Sequence, residues 1–176
     1  HDTLVYQVCD GGGLCDSDTI FITVNHANLV ITEIAYNGPE VGTDSTDYIE
    51  LYNNGSTAIN LNNYYFSQGV NYTFPNISIA PSSYLVIGVD SGAIMNTFGV
   101  SAYQWTSGIL SGGGEDITIV DNNGKTIDSV DYDHISPWPS GNLAGQPFGG
   151  GASIRLCDPS VDNTLASNWS ASTEIV

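Results

Sequence analysis

Residues 8–18 read VCDGGGLCDSD and hold the densest group of reactive side chains in the sequence. Two cysteines, three glycines and three aspartates are compatible with a metal loop, an anion-binding loop or a disulfide-closed turn. Zinc needs further Cys or His ligands, but the three histidines are scattered at positions 1, 26 and 134. A phosphate loop needs a helix after its glycines, and the next segment, TIFITV, predicts a strand. We therefore interpret the segment as a hairpin turn closed by a Cys9–Cys15 disulfide, a register that pairs Leu4 with Ile20.

Two acidic segments, GPEVGTDSTD and DSVDYD, have the ligand chemistry of calcium sites. Calcium prefers several carboxylate and carbonyl oxygens on flexible loops. Neither segment has the spacing of an EF-hand, and a solvated acidic surface is the alternative interpretation. We expect no required cofactor, with structural calcium as the one candidate. The candidate ligands are Glu40, Asp44, Asp47, Asp128, Asp131 and Asp133.

Catalytic patterns are weak. The sequence has no GxSxG nucleophile motif and no dinucleotide or Walker glycine pattern. His134 has Asp131, Asp133, Ser129 and Ser136 near it in sequence, which suggests a hydrolytic group. However, consecutive residues of a strand point to opposite faces, so we interpret His134 as a loop histidine and predict that the chain is not an enzyme.

These side chains must be positioned by strands, because short runs rich in Val, Ile, Thr and Tyr alternate with turn-forming clusters throughout the chain. This pattern predicts an all-β sandwich with an additional N-terminal β-hairpin. In YIELYN, Ile49 and Leu51 share the face that we expect to meet the core. The entirely apolar YLVIGV predicts a strand covered on both sides, DNNG a hairpin turn, and SGAIMNTFG one helical turn. The predicted strands are TLVYQV, TIFITV, LVITEIAY, YIELYN, YYFSQ, YLVIGV, DITIV, TIDSVDY and ASIRL.

Charge limits the classes of partner. Nineteen acidic residues face two basic ones, Lys125 and Arg155, for a net charge of -17. Such a surface repels nucleic acid and anionic lipid and attracts cations. Hydrophobic residues make up 41% of the chain, which argues against disorder, and no apolar run is long enough to span a membrane.

Several motifs in order carry a family resemblance. YQVCDGGGLCDSDTIFITV resembles the last two strands of immunoglobulin-like or cadherin-like repeats of bacterial surface proteins. From Leu29 onward the chain resembles the bacterial lamin tail domain, an immunoglobulin-like β-sandwich. The motifs are LVITEIAYN, DYIELYNNGSTAINLNNYYFS, YTFPNISIAPSSYLVIG, GILSGGGEDITIVDNNGKTIDSVDY, PWP, GGGASIRLCDP and NWSAS.

The resemblance implies a hairpin of a preceding repeat at residues 1–25, a linker at 26–28 and a lamin-tail-like sandwich at 29–176. It further implies a non-catalytic binding or spacer module of a larger exported bacterial protein, secreted or on the cell surface. The expected partner is a protein or a surface glycan, and the resemblance supplies no catalytic residues. The alternative function is a carbohydrate-binding module that serves a secreted hydrolase.

Two further side chains carry expectations. The three tryptophans are large enough to fill a sandwich core, and Trp138, between Pro137 and Pro139 in a predicted extended segment, is the most exposed of them. Trp138 is therefore our candidate ligand-binding aromatic. Cys157 is left over from the predicted disulfide, and we expect a free, partly buried thiol, with an intermolecular bond as the alternative.

We predict that the chain does not bind DNA or RNA, because two basic residues cannot neutralise enough phosphates against nineteen carboxylates. A mobility-shift assay at low salt measures this where screening is weakest. A shift at micromolar protein without divalent cations would contradict the prediction.

Overall fold

The computed structural model describes residues 2–22, 28–38, 44–139 and 151–172. Glu40 and the histidines at positions 1 and 26 lie outside these residues. The strands are β1 (Asp2–Cys9), β2 (Cys15–Ile22), β3 (Leu29–Ala35), β4 (Tyr48–Asn53), β5 (Ile59–Asn60), β6 (Tyr65–Gln68), β7 (Ser78–Ile79), β8 (Tyr84–Gly88), β9 (Ala102–Gln104), β10 (Glu115–Val120), β11 (Thr126–Tyr132), β12 (Ile154–Leu156) and β13 (Trp169–Ala171), with one helix, α1 (Ser91–Phe98).

The strands form two larger sheets that share a core. One sheet has six strands in the order β13-β12-β3-β4-β8-β9, and the other has three in the order β11-β10-β6. Neighbouring strands are antiparallel except for the β8–β9 pair. β5 and β7 form a separate short pair. The predicted all-β architecture is confirmed, and every predicted strand segment contains an observed strand.

The core lies between the inward faces of the two sheets. Ile49 and Leu51 of β4 are fully buried, as the alternation of YIELYN predicts. Ile117 and Ile119 of β10 bury their side chains from the opposite sheet. Each such side chain contributes roughly 1.5–3 kcal/mol by leaving water, so this alternation stabilises the fold. The same cluster includes Trp105 and Trp169.

The expectation for YLVIGV is only partly met. On the outward face of β8, Tyr84 is 58% exposed, whereas Ile87 on the inward face is fully buried. The outward Val86 is half-buried in a cluster with Ile94 and Phe98 of α1. The short helix covers one end of the strand, so the apolar sequence reflects burial by a helix at that end and not by a second sheet.

Helix α1 has eight residues, which is two turns and not the single turn expected. Asp90 caps it by accepting hydrogen bonds from the N–H groups of Gly92 and Ala93. Gly99 ends it in the left-handed conformation at φ 69°. The helix lies so close to β8 that a Cβ at Gly88 would be 2.0 Å from Ile94 Cδ1. A side chain at position 88 would therefore force the Ile94 side chain to shift.

The strands that the sequence did not predict are short. β9 and β13 have three residues each, and β5 has two. A segment of three residues is too short to display a period-two pattern, so its strand character comes from its neighbours in the sheet. The predicted DNNG turn is present, with Gly124 at φ 79° and its N–H donating to Asp121 C=O.

The N-terminal hairpin pairs β1 with β2 in the predicted register, with Leu4 opposite Ile20 and Cys9 opposite Cys15. A disulfide joins Cys9 and Cys15. Asp10 closes the turn by accepting hydrogen bonds from the N–H groups of two residues of the loop, Gly12 and Leu14. The hairpin is exposed on both faces, with Leu4 54% and Val5 66% accessible. Cys157 is a free thiol and is exposed, not partly buried as expected.

Within the residues that the structure describes, no helix is long and apolar enough to cross a membrane.

We predict that reduction melts the hairpin and leaves the sandwich intact. A two-stranded hairpin alone is marginally stable, and a disulfide closing a loop this short contributes at most about 2 kcal/mol. Amide hydrogen exchange before and after reduction should show lost protection in residues 2–22 only. The control is intact mass after alkylation: one modified thiol without reduction, three with it. Three modified thiols without reduction would contradict the disulfide.

Candidate functional site

Asp128, one of the candidate calcium ligands, connects the two sheets. β12 pairs with β3 at Glu33 and Ile34, and within the described part of the chain no strand pairs with Ile31 on that side. Asp128 Oδ2 accepts the Ile31 N–H at 2.6 Å and the Asn163 side-chain amide at 2.7 Å. Asn163 Nδ2 also lies 3.4 Å from the Ile31 carbonyl oxygen. These two side chains therefore replace the missing strand.

The environment of Asp128 disfavours its ionised form. Burial raises the pKa of this carboxyl to about 6, although hydrogen bonds from Ile31 and Asn163 oppose the shift. Asp128 lies directly opposite the buried Ile119 in the β10–β11 register, so it faces the core side of the sheet. Its role in this structure is to satisfy a strand edge.

The other acidic candidates point in different directions. Asp131 is exposed and lies opposite Asp116 on the outward face of the three-stranded sheet. Because Asp128 and Asp131 are three residues apart on one strand, they occupy opposite faces. Asp133 Oδ1 accepts the backbone N–H of His134 at 2.6 Å. These three carboxylates therefore do not converge.

The first acidic segment is described only in part. Asp47 is 2% exposed, and its backbone carbonyl accepts the Val89 N–H at 3.0 Å. Asp44 is half-buried, and Glu40 lies outside the described residues. Among the described residues, no group of three Asp, Glu, His or Cys side chains has an arrangement that could hold a metal. Calcium therefore stays a prediction.

A pair of buried tyrosines marks the end of the sandwich near these acidic loops. The rings of Tyr36 and Tyr132 lie 4.8 Å apart, and Tyr132 OH donates to the Ser111 carbonyl at 2.8 Å. Burial, followed by the charge of Asp133, raises the pKa of Tyr36 to about 12. Burial and the carboxylate of Glu115 raise the pKa of Tyr132 further. Both hydroxyls therefore remain protonated at neutral pH. Tyr132 donates its hydrogen bond, whereas the buried Tyr36 hydroxyl has no hydrogen-bond partner among the described residues.

The hydrolytic group suggested by the sequence is not assembled around Ser129. His134 Nδ1 lies 3.0 Å from Asp133 Oδ1 and 3.1 Å from the Gly113 carbonyl oxygen. The Ser129 hydroxyl instead shares a hydrogen bond of 2.7 Å with Thr118 on the outward face of the sheet. The His134–Asp133 contact therefore connects parts of a loop, and it does not activate Ser129 as a nucleophile.

Trp138 is half-buried, with its ring 5.8 Å from the ring of Trp169. Its backbone N–H donates to the Ile135 carbonyl at 3.0 Å, so the segment forms a turn where an extended chain was expected. Part of the ring packs against the core. Its ligand-binding role stays a prediction.

An assembly of aromatic and charged side chains lies on the outward face of the six-stranded sheet. We name it the outer-face patch, and it consists of Glu33, Glu50, Tyr52, Tyr84 and Arg155. Strand register builds it: Arg155 lies opposite Glu33, Glu33 opposite Glu50, and Tyr52 opposite Tyr84. Four neighbouring strands, β12, β3, β4 and β8, therefore contribute to one surface.

Hydrogen bonds from neighbouring residues hold both carboxylates of the outer-face patch. Glu33 Oε1 accepts from Tyr48 OH at 2.7 Å and from Ser153 Oγ at 2.5 Å. Glu50 Oε1 accepts from the Thr32 hydroxyl at 2.7 Å. Burial raises the pKa of Glu50, and Glu33 raises it further, while Arg155 opposes the change. Arg155, which lies opposite Glu33 in the sheet, thus favours the ionised form of Glu50.

The sequence contained one signal for this patch, which is a pair of isoleucines three residues apart in a predicted strand, at positions 31 and 34. Both are fully buried in the structure, so the period of two is broken between them. The register shifts between Ile31 and Glu33, so Thr32 is the extra residue of a β-bulge. The shift places Glu33, and not Ile34, on the outward face beside Glu50. Which strands would be neighbours was not visible in the sequence.

Two packed sheets with an exposed, charged outer face define the chain as an immunoglobulin-like β-sandwich. The sequence matches the Lamin Tail Domain family over residues 23–134, and the chain belongs to this family. The resemblance seen in the sequence is thereby confirmed for that range, and the family is a non-catalytic fold. No curated protein matches the chain.

We predict that Asp128 lowers stability as pH rises from about 4 to about 6. Its pKa is raised in the folded state, so the folded protein holds the proton where the unfolded chain has lost it. The contribution is complete below the unfolded pKa and is lost through the folded pKa, up to about 3 kcal/mol. The free energy of unfolding, measured with urea at each pH across this range, should depend less steeply on pH in Asp128→Asn than in the unmodified protein.

The matched control for this experiment is Asp131→Asn, which removes the same charge from an exposed position on the same strand. Its slope should equal that of the unmodified protein. Equal slopes for Asp128→Asn and the unmodified protein would contradict the assignment.

Proposed function

We propose that the chain is a non-catalytic extracellular binding or spacer module of a larger exported bacterial protein, and that it contacts a protein partner. The outer-face patch carries this proposal. Tyr84 is 58% exposed beside Arg155 and two carboxylates, and helix α1 covers only the adjoining end of the sheet. Exposed aromatic and arginine side chains are enriched at protein interfaces, where they supply much of the binding energy.

Two features support an extracellular location. The Cys9–Cys15 disulfide suits an oxidising compartment, because cytosolic thiols are kept reduced. The net charge of -17 favours solubility of an exported protein at high dilution outside the cell. The free Cys157 is compatible with either compartment.

The hairpin supports membership in a larger protein. We assign residues 1–25 to the end of a preceding immunoglobulin-like or cadherin-like repeat, 26–28 to a linker and 29–176 to the lamin tail domain. Leu4, Val8 and Ile20 lie on one face of the hairpin and are each more than two-fifths exposed. A hairpin in isolation does not bury such a face, whereas the remaining strands of a repeat would.

The alternative function is a carbohydrate-binding module. The rings of Tyr52 and Tyr84 lie 4.5 Å apart on the outer face, and aromatic faces can pack on sugars. Among the described residues of β3, no exposed aromatic side chain continues the row formed by these two tyrosines. Val30 lies opposite Tyr52 and occupies that position. A two-ring surface favours a protein partner over a polysaccharide chain.

We predict that the immobilised chain binds cell-envelope material of its own bacterium, and that Tyr84→Ala weakens binding at least about tenfold, as truncation of an interface tyrosine does. The matched control is Tyr65→Ala, which truncates an exposed tyrosine on the three-stranded sheet. Protease treatment of the envelope should abolish binding. Loss of binding after periodate oxidation of the envelope would instead support the carbohydrate alternative. If binding does not depend on Tyr84, the outer-face patch is not the binding surface and the spacer function remains.

Calcium is proposed as a structural ion and not as a required cofactor. Acidic loops near Asp44 and Asp47 repel themselves, and an ion that binds only the folded state raises stability by mass action. The thermal midpoint should rise with millimolar calcium and fall with chelator. Magnesium at the same concentration controls for screening of the net charge. An unchanged midpoint would leave a solvated acidic surface.

A further inference from the structure

We propose that the outer-face patch binds an extended segment of a partner protein that carries basic side chains, with one cation held between Glu33 and Glu50 and a second stacked on Tyr84. This inference rests on the proposed function, because it names the class of partner for the same surface. The contacts that support it are electrostatic, geometric and aromatic.

Charge selects the sign of the partner. Arg155 is opposite Glu33 in the sheet but forms no ion pair within 4.0 Å with either glutamate of the patch. Among the described residues, the guanidinium of Arg155 forms no ion pair, so the patch keeps two carboxylates beside it in a chain whose net charge is -17. Such a field concentrates cationic groups at the surface. Repulsion between two chains of this net charge disfavours a second copy of the chain as the occupant.

The carboxylates are held in position for a partner. Glu33 and Glu50 each accept their hydrogen bonds through Oε1, from hydroxyl groups of the sheet. Among the hydrogen bonds of the described residues, none ends on the Oε2 atom of either glutamate. Each therefore has one oxygen with which to accept a charge-assisted hydrogen bond from an ammonium or guanidinium group. Because the carboxylates are already ordered, binding loses little side-chain entropy.

Spacing selects an extended segment. Glu50 and Tyr52 are two residues apart on β4 and point to the same side, about 7 Å from each other along the strand. An extended partner has the same spacing between alternate side chains. A basic residue over Glu50 would therefore place the next residue but one over the Tyr52–Tyr84 pair. Arginine suits this second position because its planar guanidinium stacks on aromatic faces.

The test uses a short peptide of alternating arginine and threonine as the probe, with a peptide of alternating glutamate and threonine as its control. Calorimetry at low and physiological salt measures the affinity for the full chain. A strongly acidic protein attracts any cationic peptide, so the decisive comparison is between two variants that each remove one negative charge. Glu50→Gln alters the patch, and Asp116→Asn alters the outward face of the other sheet.

We expect Glu50→Gln and Tyr84→Ala each to weaken binding about five- to tenfold, as the loss of about 1 kcal/mol predicts. Arg155→Gln should strengthen binding, because it removes the competing cation, and Asp116→Asn should change it less than about twofold. Equal weakening by Glu50→Gln and Asp116→Asn would show attraction to net charge alone and would overturn the proposal. Binding of the glutamate peptide, or no binding of the arginine peptide, would overturn it too.

Folding of the variants has its own control. Glutamine at position 50 retains an oxygen that can accept the Thr32 hydrogen bond, and Tyr84 is mostly exposed. Their urea midpoints should stay close to that of the unmodified chain. If a variant unfolds, Arg155→Gln decides by comparison with Lys125→Gln, which removes the other positive charge, in the β10–β11 turn. Equal strengthening by the two variants, or none by Arg155→Gln, overturns the proposal.

The envelope-binding assay separates this inference from the proposed function. If Tyr84→Ala reduces envelope binding but the arginine peptide does not bind, the patch is an interface and the basic-partner inference is wrong. If the peptide binds as expected but envelope binding does not depend on Tyr84, the inference about the peptide stands and the proposed function fails.

Discussion

The outer surface of this protein depends on one extra residue in its central strand. The core needs both Ile31 and Ile34, which are fully buried, but residues three apart on a regular strand face opposite sides. The bulge at Thr32 resolves this conflict, and its hydroxyl bonds to Glu50. Because the bulge shifts the alternation by one residue, Glu33 emerges on the outward face. Packing of the interior therefore determines which charges meet outside.

The same strand shows how a sandwich satisfies its backbone where a neighbouring strand ends. β12 is three residues long, so no described strand pairs with the first part of β3 on that side. Asp128 and Asn163 supply one acceptor and one donor to Ile31. A carboxylate in this position suffers desolvation, as its raised pKa indicates, yet an unsatisfied buried N–H group costs about 1–3 kcal/mol. The polar contact is therefore a structural requirement of the short strand.

Inward and outward faces of the larger sheet follow different constraints. Inward positions are apolar because two sheets must exclude water from a shared core. On the outward face, α1 covers Tyr48 and Gly88. Beyond the helix, Tyr84 and Arg155 are exposed, while hydrogen bonds to the sheet hold Glu33 and Glu50. The outer-face patch therefore combines exposed side chains with ordered ones, on a scaffold that the core stabilises.

Much of the fold was predictable from local pattern. Alternation identified Ile49 and Leu51 as core residues, and the glycine-rich turn with its two cysteines predicted the register of the hairpin. Both predictions rest on contacts between residues close in sequence. The patch could not be predicted, because Arg155 and Glu33 are distant in sequence and meet only through the pairing of β12 with β3. A sequence determines which residues must leave water, whereas the pairing of distant strands decides which exposed residues become neighbours, since that pairing minimises the energy of the whole core.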